Sequence, residues 1–340
     1  MTAAAALRDA TARRRRLVLV VAALVTAGLF VARALLGDYQ IAAVDAVRIL
    51  LGADLGPASF IFLETKLPTA LVALAAGLAL GGSGAAFQSM LRNPLASPDV
   101  MGVTLGASAA AVTGLVVFGL SGAALTAAGF AGGLAVALGI FVLSGGAHSA
   151  SNRIILIGLG LAFALQAVIH WVLIRGSMYQ ARDAMRWLSG SLNAMTWDGV
   201  SRLWIAVAVG LPLLLLLGRP LRLIEVGDDL AGGLGVRVPR VRLGVLLVVV
   251  LLTASATSVA GPIAFVGLLA GPIARRLNAG RSSLPLAALV GAAVVLGADL
   301  LGDARWPWGP LPVGIITGLL GAPMLVALLL RSTSEEEIHG

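Results

Sequence analysis

The sequence predicts an all-α membrane protein of about ten transmembrane helices, arranged as two five-helix halves of inverted topology. Hydrophobic residues make up 59% of the 340 residues and charged residues only 12%, about half the charged fraction of a typical soluble domain. Long apolar runs recur along the chain without the alternation of apolar and polar residues that is typical of membrane β-strands. A short pattern that occurs once in each half indicates an internal repeat.

Ten segments are long and apolar enough, or nearly so, to cross a bilayer, which takes about 20 helical residues. The 43 glycines favour closely packed helices, because small residues let backbones approach each other inside a membrane. The predicted spans are residues 17–36, 67–89, 98–118, 122–143, 153–174, 199–217, 241–259, 262–277, 284–303 and 311–331.

An even number of spans puts both termini on one side of the membrane. Arg13–Arg16 directly precede the first span, as the positive-inside rule expects of a cytoplasmic N-terminus, and 16 of the 24 basic residues fall in segments that this topology assigns to the cytoplasm. A cleaved signal peptide is the alternative, but the first run is long and no small-residue cleavage site follows it. We therefore expect cytoplasmic tails at residues 1–16 and 332–340.

The repeated pattern covers Ala86–Ala96 and Ala264–Ala274, in which Ala, Phe, Leu, Pro and Ala recur in register. The first copy ends a predicted span, and the second follows one. Because each half holds five spans, an odd number, the second copy runs through the membrane in the opposite direction. A chance alignment of common residues is the alternative interpretation.

Residue types restrict the chemistry that this chain could perform. Cysteine is absent and the three histidines are scattered, so neither a disulfide framework nor a metal centre is expected. The single lysine, Lys66, does not follow the glycine-rich loop of a P-loop ATPase. The chain is therefore not expected to be an enzyme, and energy from ATP would have to come from a partner.

A polar segment at residues 219–240 interrupts the apolar runs on the predicted cytoplasmic side. Its apolar and acidic residues alternate at helical spacing, and glycines divide it into short helices. Such an amphipathic segment can dock a soluble partner through its apolar face, although a solvated loop or an interfacial helix is an equal alternative.

Four stretches of the chain resemble the FecCD/BtuC family of permease subunits, which serve ABC importers of iron–siderophore complexes, haem and vitamin B12. They are Gly77–Gly102, Ile224–Gly235, Val259–Leu268 and Leu311–Pro323. Within that family, Asn93–Gly102 and Trp187–Asn193 are more similar to the ferric enterobactin permeases than to the cobalamin ones.

The resemblance implies a BtuC-like (type II) bundle, with a permease domain over residues 17–331, in the cytoplasmic membrane of a bacterium. It further implies ABC ATPase subunits that hold the ATP and Mg, a second permease subunit, identical or related, and an extracytoplasmic siderophore-binding protein. No cofactor of this chain and no nucleic-acid partner are expected. The alternatives are a haem or vitamin B12 importer and, in a different class, an ion-coupled secondary transporter, for which the spans offer almost no carboxylates.

The resemblance also assigns candidate site residues in three groups. The residues that would dock the ATPase are Leu223, Ile224, Glu225, Gly227, Asp228, Asp229, Leu230, Leu234 and Gly235. The residues that would form the cytoplasmic gate are Asn93, Pro94, Leu95, Ala150 and Ser151. The principal candidates for docking the binding protein are Arg48, Lys66 and Arg305, although Lys66-Leu-Pro-Thr69 departs from the Arg-Leu-Pro-Arg pattern that is common in the family.

Asp299, Gln166 and His170 fall inside predicted spans, where ionisable groups are costly and often functional. Asp299 lies about one turn from a helix end and could reach water or a neighbouring group. Gln166 and His170, one turn apart on one helix, could line a path or bond a facing backbone. A structural role is the preferred interpretation for all three.

Overall fold

The computed structural model describes residues 3–99, 102–145, 151–193, 195–303 and 309–339, and within these ranges the chain is helical and contains no strand. Every predicted span coincides with a helix. The helices are α1 (Ala3–Leu35), α2 (Ala43–Leu50), α3 (Pro57–Ile61), α4 (Leu67–Leu91), α5 (Val103–Phe118), α6 (Gly122–Ser144), α7 (Ser151–Arg175), α8 (Met178–Leu188), α9 (Trp197–Val226), α10 (Asp228–Gly233), α11 (Val238–Ala260), α12 (Val266–Leu277), α13 (Leu284–Gly302) and α14 (Val313–His339).

Within the described ranges, seven helical segments are long and apolar enough to cross a bilayer. Helix α5 and the apolar part of α14, Val313–Val326, are shorter. The seven segments are Ala12–Leu35, Pro57–Leu91, Gly122–Ser144, Leu156–Arg175, Trp197–Val226, Val238–Ala260 and Leu284–Gly302.

The span predicted at residues 262–277 is shorter than expected. Helix α12 begins only at Val266 and has 12 residues, about 18 Å of helix, which is less than the hydrocarbon thickness of a bilayer. Phe265, at its N-terminus, has a left-handed backbone with φ of 66°, so the chain turns sharply there instead of continuing the helix. Arg275 and Arg276 occupy its last turn, which makes that end polar.

Helix α4 is the centre of the bundle and is buried almost all round. It packs against α1, α9, α11, α12 and α13. Its closest contact is with α13, where a Cβ on Gly77 would lie 2.4 Å from the Ala292 Cα and a Cβ on Gly291 would lie 2.4 Å from the Gly77 carbonyl oxygen. The two backbones are therefore in direct contact, as the glycine content predicted.

The two copies of the repeated pattern lie against each other in the structure. The first copy ends α4 and the second follows the end of α11 at Ala260, as predicted. The prediction that the second copy runs in the opposite direction is wrong: Gly84 lies against Gly267 and Gln88 against Gly271, so the two copies run side by side in the same direction. A Cβ on Gly84, just before the first copy, would lie 1.9 Å from the carbonyl oxygen of Gly267 in the second. The Gln88 side chain donates to the Leu268 carbonyl at 2.9 Å and accepts from the Arg275 guanidinium at 3.0 Å. This contact joins the two halves near one end of the bundle, which we call the inner end, and the opposite end is the outer end.

Candidate functional site: the coupling segment and the gate loop

The coupling segment, residues 223–235, forms two helical pieces separated by a glycine. Helix α9 continues to Val226, and α10 begins at Asp228. Gly227 between them has φ of 157° and ψ of 147°, a conformation that is open to glycine and strained for other residues. Gly235 ends the segment with φ of 84°. The predicted break at Gly227 is confirmed, but only α10, with 6 residues, is a short helix, since the residues before Gly227 continue the 30-residue α9.

One side of this segment is anchored in the protein and the other is exposed. Ile224 and Ala231 are fully buried. Val226, Leu230 and Leu234 are 69%, 52% and 61% exposed, although all three are large apolar side chains. Such a group on a polar end of a protein favours a protein-docking surface over a solvated loop.

Asp228 connects the coupling segment to two other elements. Its carboxylate pairs with the Arg242 guanidinium of α11 at 2.8 Å and with the Arg92 guanidinium at 3.5 Å. Arg92 is the first residue after α4, where it ends the helix with φ of 53°. These pairs connect α10 to α11 and to the chain that follows α4.

A second bond fixes the end of α9 to the turn before α13. The Ser282 hydroxyl donates to the Glu225 carboxylate at 2.8 Å. Glu225 and Asp228 thus bind different neighbours on opposite sides of Gly227. Asp229 is exposed and available to a partner.

The gate loop, residues 92–99, is a compact turn. The Asn93 side chain accepts a hydrogen bond from the Leu95 backbone N–H at 2.9 Å, which is an Asx-turn around Pro94. At the end of the loop, the Thr104 hydroxyl donates to Asp99 at 2.6 Å, and the Ser97 hydroxyl donates to it at 3.4 Å. Burial raises the pKa of Asp99, and these two hydrogen bonds oppose the rise. The loop is thereby fixed to the first turn of α5.

The other half of the predicted gate is described only in part. Ser151 is the first residue of α7, whereas Ala150 lies outside the described residues. The gate residues Asn93, Pro94 and Leu95 are connected to the coupling segment through their neighbour Arg92.

Of the predicted docking residues at the outer end, Arg48 is exposed and Lys66 is not. The Arg48 side chain is 63% exposed and pairs with Asp45 at 3.6 Å. Lys66 is only 5% exposed and donates to the Leu36 carbonyl, so the expectation that it forms part of an exposed docking rim is wrong. A π-helical turn, Phe62–Lys66, lies between α3 and α4 and ends at this lysine. Arg305 lies outside the described residues.

Lys66 belongs to a buried charge cluster that the sequence analysis predicted only through Asp299. Arg33 of α1 bonds Asp299 of α13 and pairs with Asp303 at 3.3 Å. Gly37 lies beside the cluster, where a Cβ would come 2.2 Å from the Asp303 carboxylate and 3.3 Å from the Lys66 ammonium. Burial raises the pKa of Asp303, and Arg33 opposes the rise. As expected, Asp299 binds a neighbouring group.

Helix α7 exposes polar atoms in the middle of an apolar span. Gln166 and His170 are both exposed, and their side chains lie 3.2 Å apart. They bond each other rather than a facing backbone. Phe163 and Ile174 of the same helix are 69% and 85% exposed.

Comparison with known proteins agrees with this arrangement of helices. The family model described as the FecCD transport family matches residues 15–331. This chain belongs to the FecCD transport family. The resemblance and the fold class that the sequence predicted are confirmed.

Similar FecCD-type proteins cover nearly the whole chain. The ferric enterobactin transport system permease protein FepG of Escherichia coli (strain K12) is 39% identical, over 94% of this chain and 96% of that protein. YfhA of Bacillus subtilis (strain 168), described as a probable siderophore transport system permease protein, is 35% identical. The match covers 90% of this chain and 92% of that protein.

The fold also matches a solved structure. An inward-facing conformation of a protein assigned to the metal-chelate type of ABC transporter superposes with a TM-score of 0.81, at 25% identity, covering 92% of this chain and 98% of that one. The FecCD chain is therefore a multi-pass membrane protein with a permease fold.

Proposed function

We propose that this chain is a permease subunit of an ABC importer that carries an iron–siderophore complex across the cytoplasmic membrane. The observation that carries the proposal is the position of Asp228, which joins the exposed coupling segment to the gate loop through Arg92 at 3.5 Å. An ATPase subunit that docks on this segment can thus act on the gate loop of the same chain. ATP is hydrolysed in a separate ATPase subunit.

The exposed side of the coupling segment is the surface for the ATPase. Val226, Leu230 and Leu234 offer apolar contacts to a partner, and Asp229 offers a charge. Gly227 serves as the hinge, because it absorbs a change in backbone angles at low cost. When the ATPase moves α10, Asp228 pulls Arg92 and the gate loop with it.

The cargo is assigned by similarity and by the chemistry of the path. The relatives named above carry ferric enterobactin and a siderophore by their descriptions. A large chelate crosses most readily along a path that binds it weakly. Recognition is left to an extracytoplasmic binding protein, for which exposed cations such as Arg48 would steer docking.

A second permease subunit, identical or related, covers the exposed face of α7. Gln166 and His170 lie exposed in an apolar span, where contact with lipid tails would be costly. Packing α7 against a second subunit removes this face from the lipid and places the polar pair at a path between the two subunits. With both termini in the cytoplasm, the coupling segment faces the ATPase.

Reconstitution tests this function directly. The chain would be placed in liposomes with its second permease and its ATPase, with ferric siderophore loaded on the binding protein outside. We expect accumulation of radioactive iron that needs ATP inside and continues after the proton gradient is collapsed. Uptake that does not need ATP, and that stops when the proton gradient is collapsed, would instead identify an ion-coupled transporter.

A further inference from the structure

A cavity of about 450 Å³ opens at the inner end of the bundle, beside the last turns of α9. Three elements form its walls: the start of α1, the last turns of α9 and the turn between α12 and α13. The lining residues are Arg14, Arg15, Arg222, Glu225, Asn278, Ala279, Gly280, Arg281 and Ser282.

The cavity is strongly basic. Four arginines and one glutamate line it, which leaves three positive charges, and the glutamate, Glu225, already accepts a hydrogen bond from Ser282 at 2.8 Å. Arg14, Arg15, Arg222 and Arg281 are all exposed, so their guanidinium groups are accessible to a ligand. Planar guanidinium forks converging from three directions suit the oxygens of a phosphate group.

The turn that forms one wall is preorganised. Asn278 is buried, and its side-chain amide donates to the Arg281 carbonyl at 3.0 Å. Ala279 and Gly280 both have left-handed backbones, with φ of 54° and 79°, and the Gly280 N–H bonds the Arg275 carbonyl at 2.8 Å. The wall therefore exists before any ligand arrives.

The level of the cavity in the bilayer indicates which phosphate it would meet. Arg15 stands two residues before the apolar run of α1, whose side chains Leu17, Val20 and Leu24 are 62%, 54% and 67% exposed. Ser282 stands two residues before α13 begins at Leu284. The cavity thus lies where the spans leave the hydrocarbon, at the level of lipid headgroups, with an open apolar face of α1 beside it for acyl chains.

We propose that this cavity binds the phosphate headgroup of an anionic phospholipid, with an acyl chain along the exposed face of α1. Basic pockets between spans on the cytoplasmic side are suited to such headgroups because the leaflet there is negatively charged. The bound lipid would join α1 to the end of α9, next to the coupling segment. The site needs only insertion in the membrane and is independent of the cargo.

Lipid binding by the full-length purified chain tests the proposal. The probes are nanodiscs of phosphatidylcholine alone, nanodiscs of phosphatidylcholine mixed with phosphatidylglycerol, and inorganic phosphate in solution. We expect the chain to retain phosphatidylglycerol on transfer to detergent, as counted by native mass spectrometry. We also expect phosphatidylglycerol to raise the thermal midpoint above its value in phosphatidylcholine alone.

The decisive variant is Arg15→Gln with Arg222→Gln, which removes one cation from each of two walls. Retention of phosphatidylglycerol should fall by about tenfold or more. Arg153→Gln is the matched control, since Arg153 is an exposed arginine of the inner end outside this cavity, and it should retain the lipid fully. An unchanged midpoint in phosphatidylcholine shows that the double variant is folded, and if it is not, Arg222→Gln alone is measured in the same way.

Three results would overturn the proposal. One is equal retention of phosphatidylglycerol by the double variant and the native chain. Another is stabilisation by inorganic phosphate that matches the effect of the lipid, which would identify a site for free phosphate. The third is loss of ATPase co-purification with lipid retention intact, which would assign these arginines to the docking surface.

Discussion

The two ends of the bundle both carry ionic networks, but they differ in their exposure to solvent. At the outer end, the Arg33 and Asp299 side chains are only 6% and 8% exposed. At the inner end, the Arg92 and Asp228 side chains are 41% and 37% exposed. A buried pair is costly to break, whereas a half-exposed pair is worth little and can re-form with water or another partner. We call the outer network the clamp, because its buried pair holds α1 and α13 in place. We call the inner network the joint, because its half-exposed pair can break and re-form.

Breaking the outer clamp should have the largest effect. Asp299→Ala leaves the buried Arg33 guanidinium with Asp303 alone, and we expect a loss of about 3 kcal/mol of stability. Thermal unfolding in detergent measures it. The double variant Arg33→Met with Asp299→Leu removes both charges and should be more stable than Asp299→Ala. If the double variant were the less stable of the two, the clamp interpretation would be wrong.

A glycine-to-alanine change at each end sharpens the comparison. In Gly37→Ala, the new methyl group would lie 2.2 Å from the Asp303 carboxylate, and φ is 119°, so we expect about 1–3 kcal/mol of destabilisation. In Gly227→Ala, the methyl group meets no atom within 4 Å, so only backbone strain of about 1 kcal/mol is expected. Unfolding midpoints should rank Gly37→Ala below Gly227→Ala, and the reverse order would contradict the assignment of clamp and joint.

Cutting the inner joint should affect transport more than stability. In Asp228→Asn the pairs with Arg92 and Arg242 lose their charge. The cost in stability should be about 1 kcal/mol, because the Asp228 and Arg92 side chains are 37% and 41% exposed, although Arg242 is only 16% exposed. Iron uptake by the reconstituted importer should nevertheless fall by about fivefold or more, while ATP hydrolysis continues.

The control for this variant is Asp54→Asn, in an exposed outer turn where an amide oxygen can still accept from the Gly56 N–H as the carboxylate does at 2.8 Å. It should transport normally. Equal uptake by both variants would remove Asp228 from the transmission path.

The outer network should also respond to acid. Burial raises the pKa of Asp303 above its usual 3.8, so the folded chain binds this proton more tightly than the unfolded chain. The stability from this group is complete below pH 3.8 and is lost as pH rises through the folded value. The thermal unfolding midpoint should therefore be measured for the native chain and for Asp303→Asn. The native value minus the variant value should fall as pH rises from about 4. A difference that grows with pH would show that Asp303 is held as a stabilised carboxylate.

Salt should produce the smallest effect, and only at the inner end. Raising the salt concentration from about 0.1 M to 1 M shortens the Debye length from roughly 10 Å to 3 Å. Hydrogen exchange in the gate loop and α10 should therefore become faster, while the region around residues 33–38 should exchange as before. Equal acceleration at both ends would mean that burial does not distinguish the two networks.

The sequence was sufficient to predict the long helices, because a helix that spans a membrane requires a continuous apolar segment of the chain. It did not predict the short surface helices such as α2 and α8, whose 8 and 11 residues are too brief to differ from loops by composition. It overestimated α12, because the positive φ of Phe265 depends on packing and not on a residue type that signals a turn.

The site was predictable where it is local and not where it is built across the fold. The spacing of the leucines around Gly227 predicted an amphipathic segment, and the resemblance to the FecCD/BtuC family assigned it to docking. The pairing of Arg92 with Asp228 joins residues far apart in the chain, and no periodic pattern encodes it. Lys66 was misjudged for the same reason, since its partners come from the end of α1 and from α13.

The contact between α4 and α13 has a mechanical consequence. Because Gly77 and Gly291 bring the two main chains together, neither helix can swivel about its own axis without colliding with the other. In the proposed importer, a switch between outward and inward access would move both helices as one rigid unit.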